Sequence, residues 1–196
     1  MDPSAESPGR NLHTVSVAAA VVLATMAASA VVGIPAGYVW ALLAPRVLAR
    51  VVSSGAASVV NPETTAFIAA DAWFAAIAAV GGLLTGGAGY LLAVRRRGAP
   101  AAAGLILGGL AAAALMLWIG DNYGHASFQH RLATSPTGTY LHASLSLGSK
   151  SAMIFWPLFA ALAIAIPEVA AHVRASRDRA VRNVDDATVH RDLSVD

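Results

Sequence analysis

Cysteine is absent from the 196-residue chain, which rules out disulfides, thiolate metal sites and a cysteine nucleophile. Charge is nearly as scarce: 12% of the residues are Asp, Glu, Lys or Arg, about half of the roughly 25% usual in soluble domains. Too few charges remain to clothe a water-facing surface, while 57% of the chain is hydrophobic and its mean hydropathy is +0.62. Lysine occurs once, at Lys150. Nucleophile and phosphate motifs are missing as well: there is no G-x-S-x-G, no Walker loop and no G-x-G-x-x-G between a strand and a helix. No enzyme activity and no cofactor are expected on these grounds.

What the chain does have is four long apolar runs. About 20 residues at 1.5 Å rise cross the hydrocarbon core of a bilayer. The runs cover about 14–43, 67–94, 100–119 and 151–171, and the sequence predicts an all-α, four-helix transmembrane bundle of two hairpins with outer loops. Residues 1–13 read as a disordered tail and 173–196 as a charged one. In the first run Ala28-Ser29-Ala30 matches a signal-peptidase pattern, but the apolar stretch continues well past it and the leading segment is weakly basic, so an uncleaved span is expected. Pro35, between Gly33 and Gly37, is expected to kink or end this helix near the outer face. Asn61-Pro62-Glu63 suits a turn that opens the second helix. The segment Tyr140 to Leu147 is read as a short helix or a stretch lying on the membrane surface.

Orientation follows from the basic residues. Arg10, Arg95, Arg96, Arg97, Arg174, Arg177, Arg179, Arg182 and Arg191 fall on one side, and Arg46, Arg50, Arg131 and Lys150 on the other. The side with nine is expected to be cytoplasmic, so both termini face inward. The Arg95–Arg97 run is a topology determinant that also attracts anionic headgroups. It is short and has no interleaved aromatic residues, so nucleic acid is not an expected partner.

Lipid tails are as apolar as leucine, so close packing of small residues must hold the spans together. Gly82 and Gly86 have small-xxx-small spacing on the second span, as do Gly104 and Gly108 on the third and Gly33 and Gly37 on the first. The short link between the second and third spans predicts a glycine-lined seam between those two helices.

Among polar groups, Asp71 stands out because a carboxylate inside a span is costly unless paired, wet or functional. It falls in the first turns of its helix, where the dipole favours an acid, and Arg46 or Arg50 is its expected partner. Asp121, His125 and His130 cluster after the third span, but their spacing matches no metal motif and no metal site is expected. Glu168 and His172, four apart, are placed to pair on one helix face.

Trp40-Ala41-Leu42-Leu43-Ala44-Pro45-Arg46, Ala69-Ala70-Asp71-Ala72-Trp73-Phe74, Gly81-Gly82-Leu83-Leu84-Thr85-Gly86 and Trp156-Pro157-Leu158 together touch every span but the third. In these stretches the chain resembles an actinobacterial family of four-span integral membrane proteins catalogued as a domain of unknown function. The resemblance implies a plasma-membrane protein, points to Arg46 and Asp71, and supplies no activity. Three functions remain open. The first is a non-enzymatic accessory or scaffold component of the cell envelope or a membrane complex, with the bilayer, other membrane proteins or further copies of itself as partners. The second is a small oligomeric transporter or channel using Asp71 in a polar pathway. The third is an enzyme built on the histidine-bearing loop.

Overall fold

Each apolar run folds into a helix long and apolar enough to cross a membrane. The computed structural model describes residues 8–53, 56–60, 65–143, 145 and 147–192, and the expected turn at Asn61-Pro62-Glu63 lies outside them. The first run forms α1 (Pro8–Val31) and α2 (Gly33–Leu43), separated at Val32. Pro35 explains the break: its nitrogen has no hydrogen, so the Val31 carbonyl loses its usual donor. The Val32 amide takes the tighter three-residue step to Ser29 O at 3.2 Å, and Ala36 N reaches Val32 O at 3.4 Å. Residues 8–13, expected within a disordered tail, instead begin α1. Pro8 is tolerated in a first turn, and past Gly9 no further Gly or Pro interrupts the helix before Gly33.

The second run is α3 (Thr65–Gly89), which widens into a π-helical turn at Tyr90–Val94 and closes in the short α4 (Arg95–Arg97). Gly98 makes the reversal at φ 66°, a conformation a Cβ would strain. Pro100 then stands in the first turn of α5 (Ala99–Asn122), where its missing N–H has no helical partner to lose. Gly124, at φ 82°, separates α5 from α6 (His125–Thr134). A 3-10 turn at Lys150–Ile154 leads into α7 (Phe155–Asp192). This helix runs well beyond residue 171, since no Gly or Pro occurs between Val173 and Asp192 to stop it.

A small sheet sits at the end of the bundle away from Arg95–Arg97. Strands β1 (Leu48–Ser53), β2 (Ala56–Val59) and β3 (Tyr140–His142) are antiparallel in the order β2-β1-β3, with Arg50 opposite Ser58 on one side and Tyr140 on the other. Ala49 and Val51 point inward and are buried, while Leu48, Arg50 and Val52 alternate outward. The helix or surface segment expected from Tyr140 is therefore a strand at its start. The Ser135–Gly138 turn is responsible: Gly138 N donates to Val51 O at 2.8 Å, Val51 N donates to Thr139 O at 2.9 Å, and the next residues are held extended beside β1.

Helix pairing also departs from expectation. Gly104 lies against Val22 and Thr25 of α1, and Gly108 against Met26 and Ser29; Gly33 and Gly37 of the first span meet Ala112, Met116 and Ile119 of α5. The two sets of numbers rise together, so the first and third spans run parallel, side by side. Gly82 and Gly86 rest on Trp156 and Ala160 of α7, again in parallel. The glycine seam expected between the second and third spans is thus replaced by two seams, α1/α2 with α5 and α3 with α7. A short link at Gly98 forces two helices to be connected, but it does not make them touch along their length. Backbones approach where glycine stripes face each other's flat surfaces, and in lipid that approach decides the pairing. Four spans in this arrangement put both ends of the described chain on the Arg95–Arg97 side.

The core has two centres. Near the sheet it holds Trp40, Phe74, Met116 and Trp156 among alanines, capped by Leu145 and Ala152. Toward the arginines it holds Val21, Val94, Ala101, Leu105 and Ile164. At most 39% of any span's most apolar stretch is buried within the bundle, so the larger apolar share faces outward, where only lipid suits it. The protein is a multi-pass membrane protein with a helical bundle and a small extramembrane cap.

Candidate functional site

Asp71, Arg46, Asp121 and His125 all lie toward the sheet end of the bundle, on four different elements, and they do not converge. Asp71 occupies the second turn of α3, half-buried. Its Oδ1 accepts the Gly148 N–H and its Oδ2 accepts the Ser149 N–H, both at 2.9 Å. Those amides stand just before the 3-10 turn that opens the fourth span, where N–H groups lack helical acceptors. A charged acceptor makes both bonds strong. Asp71 therefore ties the long polar loop to α3, in place of the expected pairing with Arg46 or Arg50. Sequence reasoning missed the partner because two backbone amides carry no side-chain signature.

Arg46 follows the end of α2, and its Nη2 donates to the Ala41 carbonyl at 3.1 Å, one of the acceptors left over at a helix C-terminus. Arg46 lines a cavity of about 200 Å³ with Tyr123, Ser127, Arg131 and His142. Among the described residues no carboxylate lines that cavity. No sequence pattern marks this grouping, since its members come from the α2–β1 link, the end of α5, α6 and β3.

Asp121 is exposed in the last turn of α5, and His125 begins α6 with Nε2 3.5 Å from Gln129 Nε2. Among the described residues no three His, Asp or Glu side chains gather where a metal could sit. Arg95, Arg96 and Arg97 are exposed at the opposite end. Glu168 and His172 form no ion pair among the described residues. They lie toward the exposed part of α7, where water weakens any such attraction.

Two buried tryptophans order the bundle beneath the cap. Trp40 donates from Nε1 to Ala70 O at 2.9 Å and meets Phe74 edge-on, ring centres 5.1 Å apart. Trp156 lies over Gly81 and against Gly109, and its Nε1 donates to Thr85 Oγ1 at 3.2 Å. That hydroxyl in turn donates to Gly81 O at 2.8 Å. Ser29 is 2% exposed, and its Oγ has no hydrogen-bond partner among the described residues. Between α2 and α3 an apolar cleft of about 360 Å³, lined by residues such as Val39, Trp73, Ile77 and Leu84, faces outward at the level of the spans. Comparison with family models, with curated proteins and with solved structures finds no match to this chain.

Proposed function

We propose that this chain is a non-enzymatic accessory or scaffold component of a bacterial plasma membrane, of the actinobacterial kind its sequence resembles, with both termini in the cytoplasm. The observation that carries the proposal is the use made of Asp71. The Asp71 carboxylate, in the second turn of α3, has both oxygens engaged by loop amides, so its role is to hold the cap on the bundle. A conducting path through one protomer would need polar groups along its axis. Trp40, Phe74, Met116 and Trp156 fill that position near the cap. The excess of arginine on the Arg95–Arg97 side supports the inward placement of both ends.

The protein is expected to act by contact, through its lipid-facing helices and its cap. Co-purification in mild detergent at native expression level should retain a stable membrane partner. A clean monomer whose reconstituted form carries ion flux, with the flux lost in Asp71→Asn, would overturn the proposal. A reporter fused after Arg97 should read cytoplasmic and one at Thr137 extracytoplasmic.

A further inference from the structure

We propose that the cavity between the end of α2, α6 and β3 is a phosphate-binding site, matched to the headgroup of an anionic phospholipid. Its chemistry is one-sided. Arg46 and Arg131 line it together with His142, Ser127 and Tyr123, and among the described residues no Asp or Glu lines it to neutralise them. Arginine presents five N–H donors in a planar fork that fits two phosphate oxygens at once. Among the described residues Arg46 has one of its donors committed, to the Ala41 carbonyl. That bond anchors the guanidinium at the helix end and leaves the rest of the fork free for a ligand. Arg131 forms no ion pair among the described residues.

The depth of the cavity points to lipid as the source of the phosphate. Arg46 is three residues beyond Leu43, the last residue of α2, and Tyr123 directly follows Asn122, the last of α5. Tyr123 meets Tyr38 edge-on with ring centres 5.9 Å apart, and both rings are partly exposed. Paired tyrosines at span ends mark the headgroup layer. The cavity is therefore level with lipid phosphates, and its volume of about 200 Å³ suits a headgroup, whereas acyl chains would lie along the apolar faces below.

The test uses the full-length chain in mild detergent. Retention of phosphatidylglycerol and of phosphatidylcholine is measured by native mass spectrometry, and thermal protection by inorganic phosphate is measured in parallel. Four proteins are compared: wild type, Arg131→Gln, Ser127→Glu and Arg50→Gln. Ser127 is in the first turn of α6, where a carboxylate is favoured by the helix dipole, so this variant fills the cavity with negative charge at no expected loss of fold. Arg50→Gln removes the same charge from β1 without touching the cavity. The wild type and Arg50→Gln should prefer phosphatidylglycerol. Arg131→Gln should weaken that preference about fivefold, as expected for one basic residue near anionic lipid, and Ser127→Glu should abolish it. The Arg95–Arg97 run is unchanged in all four proteins, so differences among them report on the cavity. Protection by inorganic phosphate without a lipid preference, lost in Ser127→Glu, would uphold the phosphate site and assign it a soluble ligand. Equal retention of both lipids with no phosphate protection, or a Ser127→Glu protein that binds like wild type, would overturn the proposal.

Discussion

Gly86 and Gly87 are neighbours on α3 with opposite surroundings, and alanine at each should have opposite consequences. At Gly86 an added Cβ would stand 2.5 Å from the Ala160 carbonyl oxygen, 2.7 Å from its Cα and 3.0 Å from its carbonyl carbon. Ordinary Cβ contacts begin near 3.4 Å, and the obstacle is backbone, so α7 must move off by close to an ångström. A gap of about 0.5–1 Å forfeits a quarter to a half of the dispersion attraction across a seam, and overpacking of this kind costs about 1–3 kcal/mol. At Gly87 none of the described residues comes within 4 Å of an added Cβ. Both alanines gain the same helix propensity, about 1 kcal/mol, so the packing term alone separates them. We expect Gly86→Ala to be less stable than Gly87→Ala by about 2 kcal/mol, or roughly 4–8 °C in melting temperature for a chain of this length. Thermal unfolding in mild detergent, followed by circular dichroism, measures the difference. If the two alanine proteins melt together, α3 and α7 do not approach at Gly86, and the parallel pairing of the second and fourth spans is wrong.

Two further outcomes follow from single side chains. Asp71→Ala should lower stability by about 1–3 kcal/mol, because two amides lose a charged acceptor. Asp71→Asn, with one carbonyl oxygen left, should fall between it and wild type. Amide exchange at Gly148 and Ser149 should quicken in both, and unchanged exchange there would remove Asp71 from its tethering role. Ser29→Ala should be neutral or stabilising by about 1 kcal/mol, since it deletes a buried hydroxyl that lacks a partner among the described residues. A loss of more than about 1 kcal/mol would mean that the hydroxyl has a partner after all.

The spans were legible because their signal is cumulative: some 20 apolar residues in succession are too many for an ordinary core element and match the thickness of a bilayer. The kink at Pro35 was legible because a missing N–H is a property of one residue. The sheet was not. β1 is six residues long, carries Arg50 at its centre, and pairs with Tyr140–His142 some ninety positions away. Neither its length nor its pattern announces such a partner. Glycine spacing on the second and third spans marked which faces pack closely, and the structure does place backbone against those faces. Spacing carries no label for the opposing helix, and the short turn at Gly98 pointed to the wrong one. The arginine cavity was illegible for a related reason, since its two arginines lie 85 positions apart in the chain and only the fold brings them together.

The parallel pairing of first and third spans bears on the order in which the chain assembles. The glycine and serine faces of α1 and α2 have their partner on α5, whose last residue, Asn122, is made 79 residues after Leu43. At about 5–20 residues per second, the first span sits in the bilayer for roughly 4–16 s before its match has been synthesised. β1 waits longer, because the strand that completes its second edge is made later still. During that interval the first hairpin is held by the contact of Trp40 with α3 and by the pairing of β1 with β2. Insertion factors and competing membrane proteins would therefore meet an open small-residue face on the nascent chain that the finished bundle conceals.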